Sequence, residues 1–443
     1  MLLRPFRGQT FRALRYRNYR YLWLGQTGHS ATLWMDQVAR AALILGLTDN
    51  SPLMLSLVIA TRLVPILLFG LLAGAVADRS DRKKVLTVTQ FVTFLTHLFL
   101  GLAVTFGFIE VWQVFATAFV AGTAMAFNQP VRQSLIPATV PKEDLLNAIA
   151  LNSTALSFMR IGGGSIAGVL LIPFDEGGVY LVTACIYVLV ILCTTALHLP
   201  EERNKKTSGG GLFDDLKEGF VYVGENRVLL LVTGMAVILF VLGFPYQQVF
   251  VPLLATETLD IGKSGVGYLA GATGVGAFAG SLFVASRPGV ARPGIQLSIN
   301  MLIFGAALVA ISLQDNVWVT ASLLAVAGSM TVTYMAFTNS ILLQNSAPEM
   351  HGRVMSLLSL DRGLIPIGAI FSGVLVSAIG IRPGLFTLGA TVLVVSALAL
   401  LVAGKRLAAI QGGEMGGGKH GQGAAPAPET VPPPAMLEAP AKR

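Results

Sequence analysis

The sequence predicts an all-α membrane protein of twelve transmembrane helices, arranged as two bundles of six. Two observations carry this prediction. The chain has 443 residues, of which 54% are hydrophobic and only 12% are charged, whereas soluble domains average about 25% charged residues. The apolar residues also fall into long stretches, each close to the length of about 20 residues that an α-helix needs to cross a bilayer.

The twelve predicted spans follow one another along the chain with polar connections between them. They cover 21–47, 53–77, 85–107, 110–130, 147–173, 178–199, 228–252, 265–286, 295–314, 317–341, 354–380 and 384–404.

One long polar stretch divides these spans into two halves. It runs over 200–227 and contains three consecutive glycines, so we predict a cytoplasmic central loop there. An N-terminal six-helix bundle is predicted at 21–199 and a C-terminal six-helix bundle at 228–404. Residues 1–20 form a basic cytoplasmic lead, and the Gly-, Pro- and Ala-rich residues 405–443 are predicted to be a disordered cytoplasmic tail.

The positive charges predict the orientation of the spans. The lead contains six arginines, and the loop between spans 2 and 3 contains Arg79, Arg82, Lys83 and Lys84. The loops on the opposite side are acidic and hold few cations. Because cytoplasmic loops carry an excess of Lys and Arg, both termini are predicted to be cytoplasmic. The net charge of +8 therefore indicates membrane orientation rather than nucleic-acid binding.

The sequence contains no pattern typical of a catalytic or metal centre. The two cysteines lie in one apolar stretch, which excludes a disulfide framework and a cysteine-based metal site. No nucleotide-binding loop or Ser/His/Asp arrangement is visible. We therefore expect no enzyme activity, no metal and no cofactor.

Three parts of the sequence carry a family resemblance: residues 74–84, residues 128–137 with their continuation at 145–148, and residues 348–356. The first resembles the signature loop between spans 2 and 3 of the major facilitator superfamily. The others resemble the branch of that superfamily that contains enterobactin exporters and macrolide efflux proteins.

This resemblance implies a central cavity between two bundles and transport by alternating access. It implies export of an amphipathic small molecule, of siderophore or drug class, across the bacterial inner (plasma) membrane by proton-coupled antiport. Because one chain supplies both bundles, we expect a monomer. An uncoupled facilitator or importer remains an alternative, since 116–127 of span 4 lacks an ionisable residue and Gly163 stands where related antiporters have proline. A non-transporting membrane sensor or assembly protein is a third possibility, against which the charges inside the spans argue.

Charged residues inside the spans are the first candidates for the site. A charge at bilayer depth costs about 2.5–3.5 kcal/mol on insertion scales, so it should face a cavity or a partner. Asp36 could bind the coupling proton or a cationic substrate, or could form a static pair with Arg40 at i, i+4. Arg62 could pair with Asp36 or meet an anionic substrate. Charge pairing between helices is the favoured prediction for the remaining three, Arg160, Asp361 and Arg362.

A second group follows from the resemblance, which implies a conformational latch between Asp78 and the start of span 11 near Arg353. Arg132 could supply a cation to Asp78. The neighbouring loop residues Gly74, Arg79, Arg82 and Lys83 are assigned to the same latch, although orientation alone would explain the cations.

Small and aromatic residues complete the candidates. Gly162, Gly163, Gly164 and Gly168 of span 5 are predicted to permit close helix packing. His29 and His97 are isolated along the sequence, without a second histidine at metal-ligand spacing. For both histidines we predict a packing role.

Overall fold

The computed structural model describes residues 11–198, 221–286, 292–346, 350, 354 and 363–409, and all regular structure in them is helical. Most of the predicted central loop and nearly all of the predicted tail therefore lie outside the described residues. A short 3-10 turn, Arg12–Arg15, precedes the first long helix.

The first half of the chain forms six helices. Four are separate: α1 (Arg17–Leu47), α2 (Pro52–Arg79), α3 (Arg82–Thr105) and α4 (Val111–Thr139). A further helical run, Leu145–Thr195, changes direction at Asp175, whose φ of 53° and ψ of −172° are not helical. We name its two arms α5 (145–174) and α6 (176–195).

After a short helical stretch at 221–225, the second half contributes six more long helices in the described residues. The first, α7, begins as Arg227–Ile238 and continues to Thr258 through three π-helical stretches, Leu239–Gly243, Tyr246–Phe250 and Leu254–Thr258. The others are α8 (Gly262–Ala285), α9 (Pro293–Ser312), α10 (Val317–Gln344), α11 (Ile365–Ile379) and α12 (Ile381–Ala409).

Most of these helices are suited to a bilayer. In the described ranges, nine helical stretches are long and apolar enough to cross a membrane, with α5 and α6 counted as one. The others are α11, of which 15 residues are described, and α1, which contains the polar residues Asp36, Gln37 and Arg40. Large apolar side chains such as Ile172, Leu401 and Val402 face outward, as expected for a surface in contact with lipid.

Several helix ends differ from the predicted spans, and three of the differences have a clear cause. Helix α1 starts at Arg17 rather than 21 because Tyr19 and Leu22 pack in a buried cluster with the start of α5. Helix α4 continues past 130 to Thr139 with two prolines inside it, which membrane helices tolerate. Helix α12 continues past 404 to Ala409, because residues 405–409 favour a helix and the glycines come later.

Two helix pairs join the halves. Helix α5 packs on α8, and α2 packs on α11. A Cβ placed on Gly168 of α5 would lie 2.8 Å from the Cα of Gly267 and 2.9 Å from the carbonyl oxygen of Ser264. Glycine therefore permits the backbones to approach directly.

The glycines of the α5–α8 contact lie toward one end of the molecule. The contact runs along α5 from Ile161, which faces Gly274, to Gly168. The beginning of α5 lies beside the N-terminal lead, since Arg12 and Arg15 contact Asp144 just before the helix. The halves consequently touch on the side away from the lead.

Candidate functional site

The centre of the N-terminal bundle contains a buried charge cluster around Asp36. The carboxylate has no exposed surface. Its Oδ1 lies 2.8 Å from Arg40 Nη2, and its Oδ2 lies 2.8 Å from Arg62 Nη1. His97 Nε2 is 3.7 Å from Oδ1. One carboxylate on α1 thus contacts cations on α1 and α2 and a histidine on α3.

Arg40 is anchored more firmly than Arg62. Its Nη1 donates to the carbonyl oxygen of Val114 at 3.2 Å and to Thr117 Oγ1 at 3.1 Å, both on α4. The Arg40 side chain is 4% exposed, whereas the Arg62 side chain is 17% exposed. Arg62 is therefore the more exposed and less extensively bonded of the two partners of Asp36.

His29 and His97 both lie beside this cluster. His29 Nδ1 is 2.9 Å from the hydroxyl of Tyr187, and the Tyr187 and His97 rings are 5.4 Å apart. Both histidines, together with Arg62 and Asn128, line a cavity of about 20 Å³, which has room for about one water molecule. The sequence prediction assigned these histidines to packing because neither has a second histidine at metal-ligand spacing along the chain.

Arg132 lies inside α4 rather than beyond its end. Its side chain is buried, and its Nε donates to Asn128 Oδ1 at 3.3 Å. Its Nη1 and Nη2 have no hydrogen-bond partner among the residues that the structure describes. Its Nη1 approaches Gly25 of α1, so the side chain points into the N-terminal bundle.

The predicted latch is only partly visible. Gly74, Asp78 and Arg79 belong to α2, but their side chains lie outside the described residues, as does Arg353. Arg82 begins α3. The latch between Asp78 and Arg353 therefore stays a prediction.

Lys83 has a contact that the sequence did not predict. Its Nζ donates to the carbonyl oxygens of Thr195 and Leu197, each at 2.7 Å. These carbonyls are at the C-terminal end of α6, where a cation is stabilised by the helix dipole. Lys83 thus ties the turn between α2 and α3 to the end of the bundle.

Arg160 contacts residues of both bundles. Its Nη2 donates to Gln247 Oε1 of α7 at 2.9 Å, and its guanidinium carbon lies 5.2 Å from the centre of the Trp34 ring on α1. Asp361 and Arg362, the other members of this predicted group, lie outside the described residues.

The four glycines of α5 have different surroundings. A Cβ on Gly163 would lie 2.7 Å from the carbonyl oxygen of Ala31, so this residue sits against α1, whereas Gly168 sits against α8. A Cβ on Gly164 would make an ordinary contact with Ala270, at 3.5 Å, and one on Gly162 would meet no atom within 4 Å.

Comparison with known proteins identifies the family. Residues 8–414 match the family model described as "Transmembrane secretion effector". The chain is 25% identical over 358 residues to the staphyloferrin A transporter of Staphylococcus aureus, covering 79% of this chain and 87% of the relative. It is 20% identical over 367 residues to macrolide efflux protein A of Streptococcus pyogenes, covering 82% and 90%.

A solved structure shows the same fold. A variant of the nucleoside transporter NupG superimposes with a TM-score of 0.70 at 12% identity, covering 87% of this chain and 99% of that one. The predicted all-α membrane fold of the major facilitator type is thereby confirmed. The chain belongs to the transmembrane secretion effector family and is a multi-pass membrane transporter of the major facilitator superfamily.

Proposed function

We propose that the protein is a proton-coupled exporter that moves an amphipathic small molecule, of siderophore or drug class, out of a bacterial cytoplasm by alternating access. The observation that carries the proposal is the buried contact of Asp36 with both Arg62 and His97. The cargo class is supported by relatives named for staphyloferrin A transport and macrolide efflux.

Proton binding acts through competition between Arg62 and protonated His97 for the carboxylate of Asp36. With Asp36 ionised, the Asp36–Arg40–Arg62 group carries one excess positive charge. Histidine is the side chain that most readily gains a proton near neutral pH. A proton on His97 adds a second positive charge 3.7 Å from Asp36 Oδ1. The more exposed partner, Arg62, is then released from the carboxylate.

Release of Arg62 acts on the interface between the bundles because Arg62 lies on α2. Helix α2 packs on α11 of the other bundle, with Ser56 against Gly373. Loss of the Asp36–Arg62 pair frees α2 from α1 and lets the α2–α11 contact rearrange. Proton binding in this way changes which side of the membrane the cavity opens to.

The sides of the membrane follow from the predicted orientation. If both termini are in the cytoplasm, the α5–α8 contact lies on the extracellular side of the plasma membrane. The central cavity between the bundles then opens toward the cytoplasm. One chain supplies both bundles, so the protein works as a monomer. Asp78 and its loop brace this state as the predicted latch.

The test uses inside-out membrane vesicles that contain the full chain, with radiolabelled erythromycin or staphyloferrin A outside. An acidic vesicle interior should drive uptake, and nigericin should abolish it by collapsing the pH gradient. His97→Gln should reduce uptake to the rate without a gradient while keeping substrate counterflow. His198→Gln replaces an exposed histidine at the end of α6 and should behave like the wild type.

The opposite results select among the alternatives. Full gradient-driven uptake by His97→Gln would remove this histidine from the coupling mechanism. Wild-type counterflow that ignores the gradient would instead indicate an uncoupled facilitator. If neither labelled compound shows uptake or counterflow, a membrane sensor or assembly protein is favoured.

A further inference from the structure

We propose that the transported molecule carries a carboxylate group, and that Arg160 and Gln247 bind this group between the two bundles. The proposal rests on the proposed export function, because it names the chemical class of the exported substrate. It assigns to Arg160 a binding role in place of the predicted charge pairing between helices.

The guanidinium of Arg160 has spare hydrogen-bonding capacity. Its Nη2 donates to Gln247 Oε1, but its Nε has no hydrogen-bond partner in the described residues. No described carboxylate lies within ion-pair distance of it, unlike Arg40 and Arg62, which share Asp36. Arginine stays protonated in proteins, so this positive charge is left for a ligand to balance.

The position of Arg160 makes that charge accessible. It directly precedes Ile161, which lies against Gly274 of α8. The side chain is partly exposed, and it contacts Gln247 of α7 in one bundle and Trp34 of α1 in the other. Arg160 thus lies between the two bundles, next to the close α5–α8 contact.

The charge of the described interior favours an anion. Away from the helix ends, the described part of the N-terminal bundle contains one carboxylate, Asp36, and four arginines, at positions 40, 62, 132 and 160. The described interiors of α7 to α12 contain no Asp, Glu, Lys or Arg away from the helix ends. Like charges repel strongly in a medium of low dielectric constant. A cationic drug is disfavoured here and an organic anion is attracted.

The geometry of the donors fits a carboxylate. A guanidinium can donate to both oxygens of one carboxylate through parallel N–H groups. Gln247 accepts from Arg160 through Oε1 and retains its amide N–H₂ group as a second donor. The Trp34 ring below the guanidinium adds a flat apolar surface for the body of an amphipathic molecule. The single guanidinium charge matches a monoanion better than a doubly charged phosphate.

The experiment measures binding without any gradient, so that it is independent of transport. The full chain in lipid nanodiscs would be titrated calorimetrically with naphthoate, with the neutral naphthamide and with a naphthyl trimethylammonium cation. Naphthoate should bind at least about tenfold more tightly than naphthamide. Arg160→Gln should remove this preference, and Gln247→Leu should reduce it while leaving the arginine in place.

Two controls separate binding from folding. Arg20→Gln removes an exposed arginine of α1 and should keep the wild-type preference. Arg160→Lys retains the charge without the planar fork and should bind naphthoate with intermediate affinity. Each variant should unfold at the wild-type temperature within a few degrees. If Arg160→Gln unfolds at a much lower temperature, the binding test relies on Gln247→Leu instead.

Three results would overturn the proposal: no naphthoate binding by the wild type, equal binding by the wild type and Arg160→Gln, or a preference for the cation. These results leave gradient-driven export untouched. Conversely, naphthoate binding that depends on Arg160, in a protein that moves no substrate under a gradient, would keep the binding site and reject the exporter.

Discussion

Glu176 and Lys263 form an ion pair that joins the two bundles. Lys263 Nζ, at the start of α8, lies 2.6 Å from Glu176 Oε1, at the start of α6. The pair is at the end of the molecule where α5 and α8 touch. The glutamate side chain is 6% exposed and the lysine side chain is 50% exposed. The loss of one partner should therefore have a different cost from the loss of the other.

Loss of the lysine should open this end more than loss of the glutamate. Lys263→Met leaves a buried carboxylate without its cation, whereas Glu176→Gln leaves a lysine that water can solvate. A partly exposed pair is worth up to about 1 kcal/mol, or about a fivefold change in population. The measurement is the maleimide labelling rate of Ala270→Cys in a background with Cys185→Ser and Cys193→Ser.

A second ion pair on the same side provides the control. Arg382 pairs with Asp315, and both residues belong to the C-terminal half. Arg382→Met should therefore leave the labelling rate unchanged. If Lys263→Met labels no faster than this control, the Glu176–Lys263 pair does not hold the bundles together.

Two glycines six residues apart on α5 should respond oppositely to alanine. A Cβ at 168 would collide with the backbone of α8, and such overpacking costs about 1–3 kcal/mol. A Cβ at 162 would meet open space, so alanine there should stabilise the helix by about 0.5–1 kcal/mol. Thermal unfolding in nanodiscs should show a lower midpoint for Gly168→Ala and an equal or higher one for Gly162→Ala. A higher midpoint for Gly168→Ala would contradict the close α5–α8 contact.

Asp36→Asn should destabilise the N-terminal bundle severely. It leaves Arg40 buried without its carboxylate, and an uncompensated buried charge costs about 3–5 kcal/mol. Adding Arg40→Gln should recover much of this loss, because Arg62 is exposed enough to reach water. Unfolding midpoints of the single and double variants test this non-additivity.

Asp49→Asn is the isosteric control for this series. Asp49 is an exposed residue in the turn between α1 and α2, and its positive φ of 48° is tolerated by asparagine. The unfolding midpoint of Asp49→Asn should equal that of the wild type. A double variant no more stable than Asp36→Asn would show that Arg40 is not the source of the loss.

The N-terminal lead should detach when Asp144 loses its charge. The buried carboxylate of Asp144 lies 2.8 Å from Arg12 Nε and 2.9 Å from Arg15 Nη2, and it accepts a hydrogen bond from the Tyr16 hydroxyl at 2.6 Å. Asp144→Asn removes the attraction for both arginines. Trypsin should then cleave after Arg12 and Arg15 several-fold faster, as followed by mass spectrometry.

The adjacent residue is the matched control for that experiment. Glu143 is exposed, and Glu143→Gln changes the same amount of charge. Its cleavage rate should equal that of the wild type. Equal rates for Asp144→Asn and Glu143→Gln would mean that Asp144 does not hold the lead.

The charge cluster shows which parts of a site a sequence can predict. The Asp36–Arg40 pair follows from helical spacing, and the need to compensate a charge in the membrane makes Arg62 a natural partner. His97 could not be predicted in this way, because only the packing of α3 on α6 and α4 brings it to Asp36. Gln247 was missed because a neutral side chain carries no charge signal.

The end of α4 shows that amino-acid composition alone does not predict where a membrane helix ends. Pro130 and the polar residues after it indicate the end of a span, yet the helix continues through Pro130 and Pro137. Arg132 was therefore predicted to lie beyond the span and is instead buried inside the bundle. Tertiary packing decides such cases, since a buried helix can satisfy polar groups through its neighbours.

The π-helical stretches of α7 allow two arrangements of that helix, which differ by one residue in the register of its turns. The amide nitrogen of Phe244 bonds to the carbonyl oxygen of Leu239, five residues back, and each such turn holds one residue more than an α-helical turn. Tightening one of these turns rotates everything beyond it by about 100°. Gln247 lies in the central π-helical stretch, so tightening the first stretch would swing its amide away from Arg160 together with the part of α7 that follows.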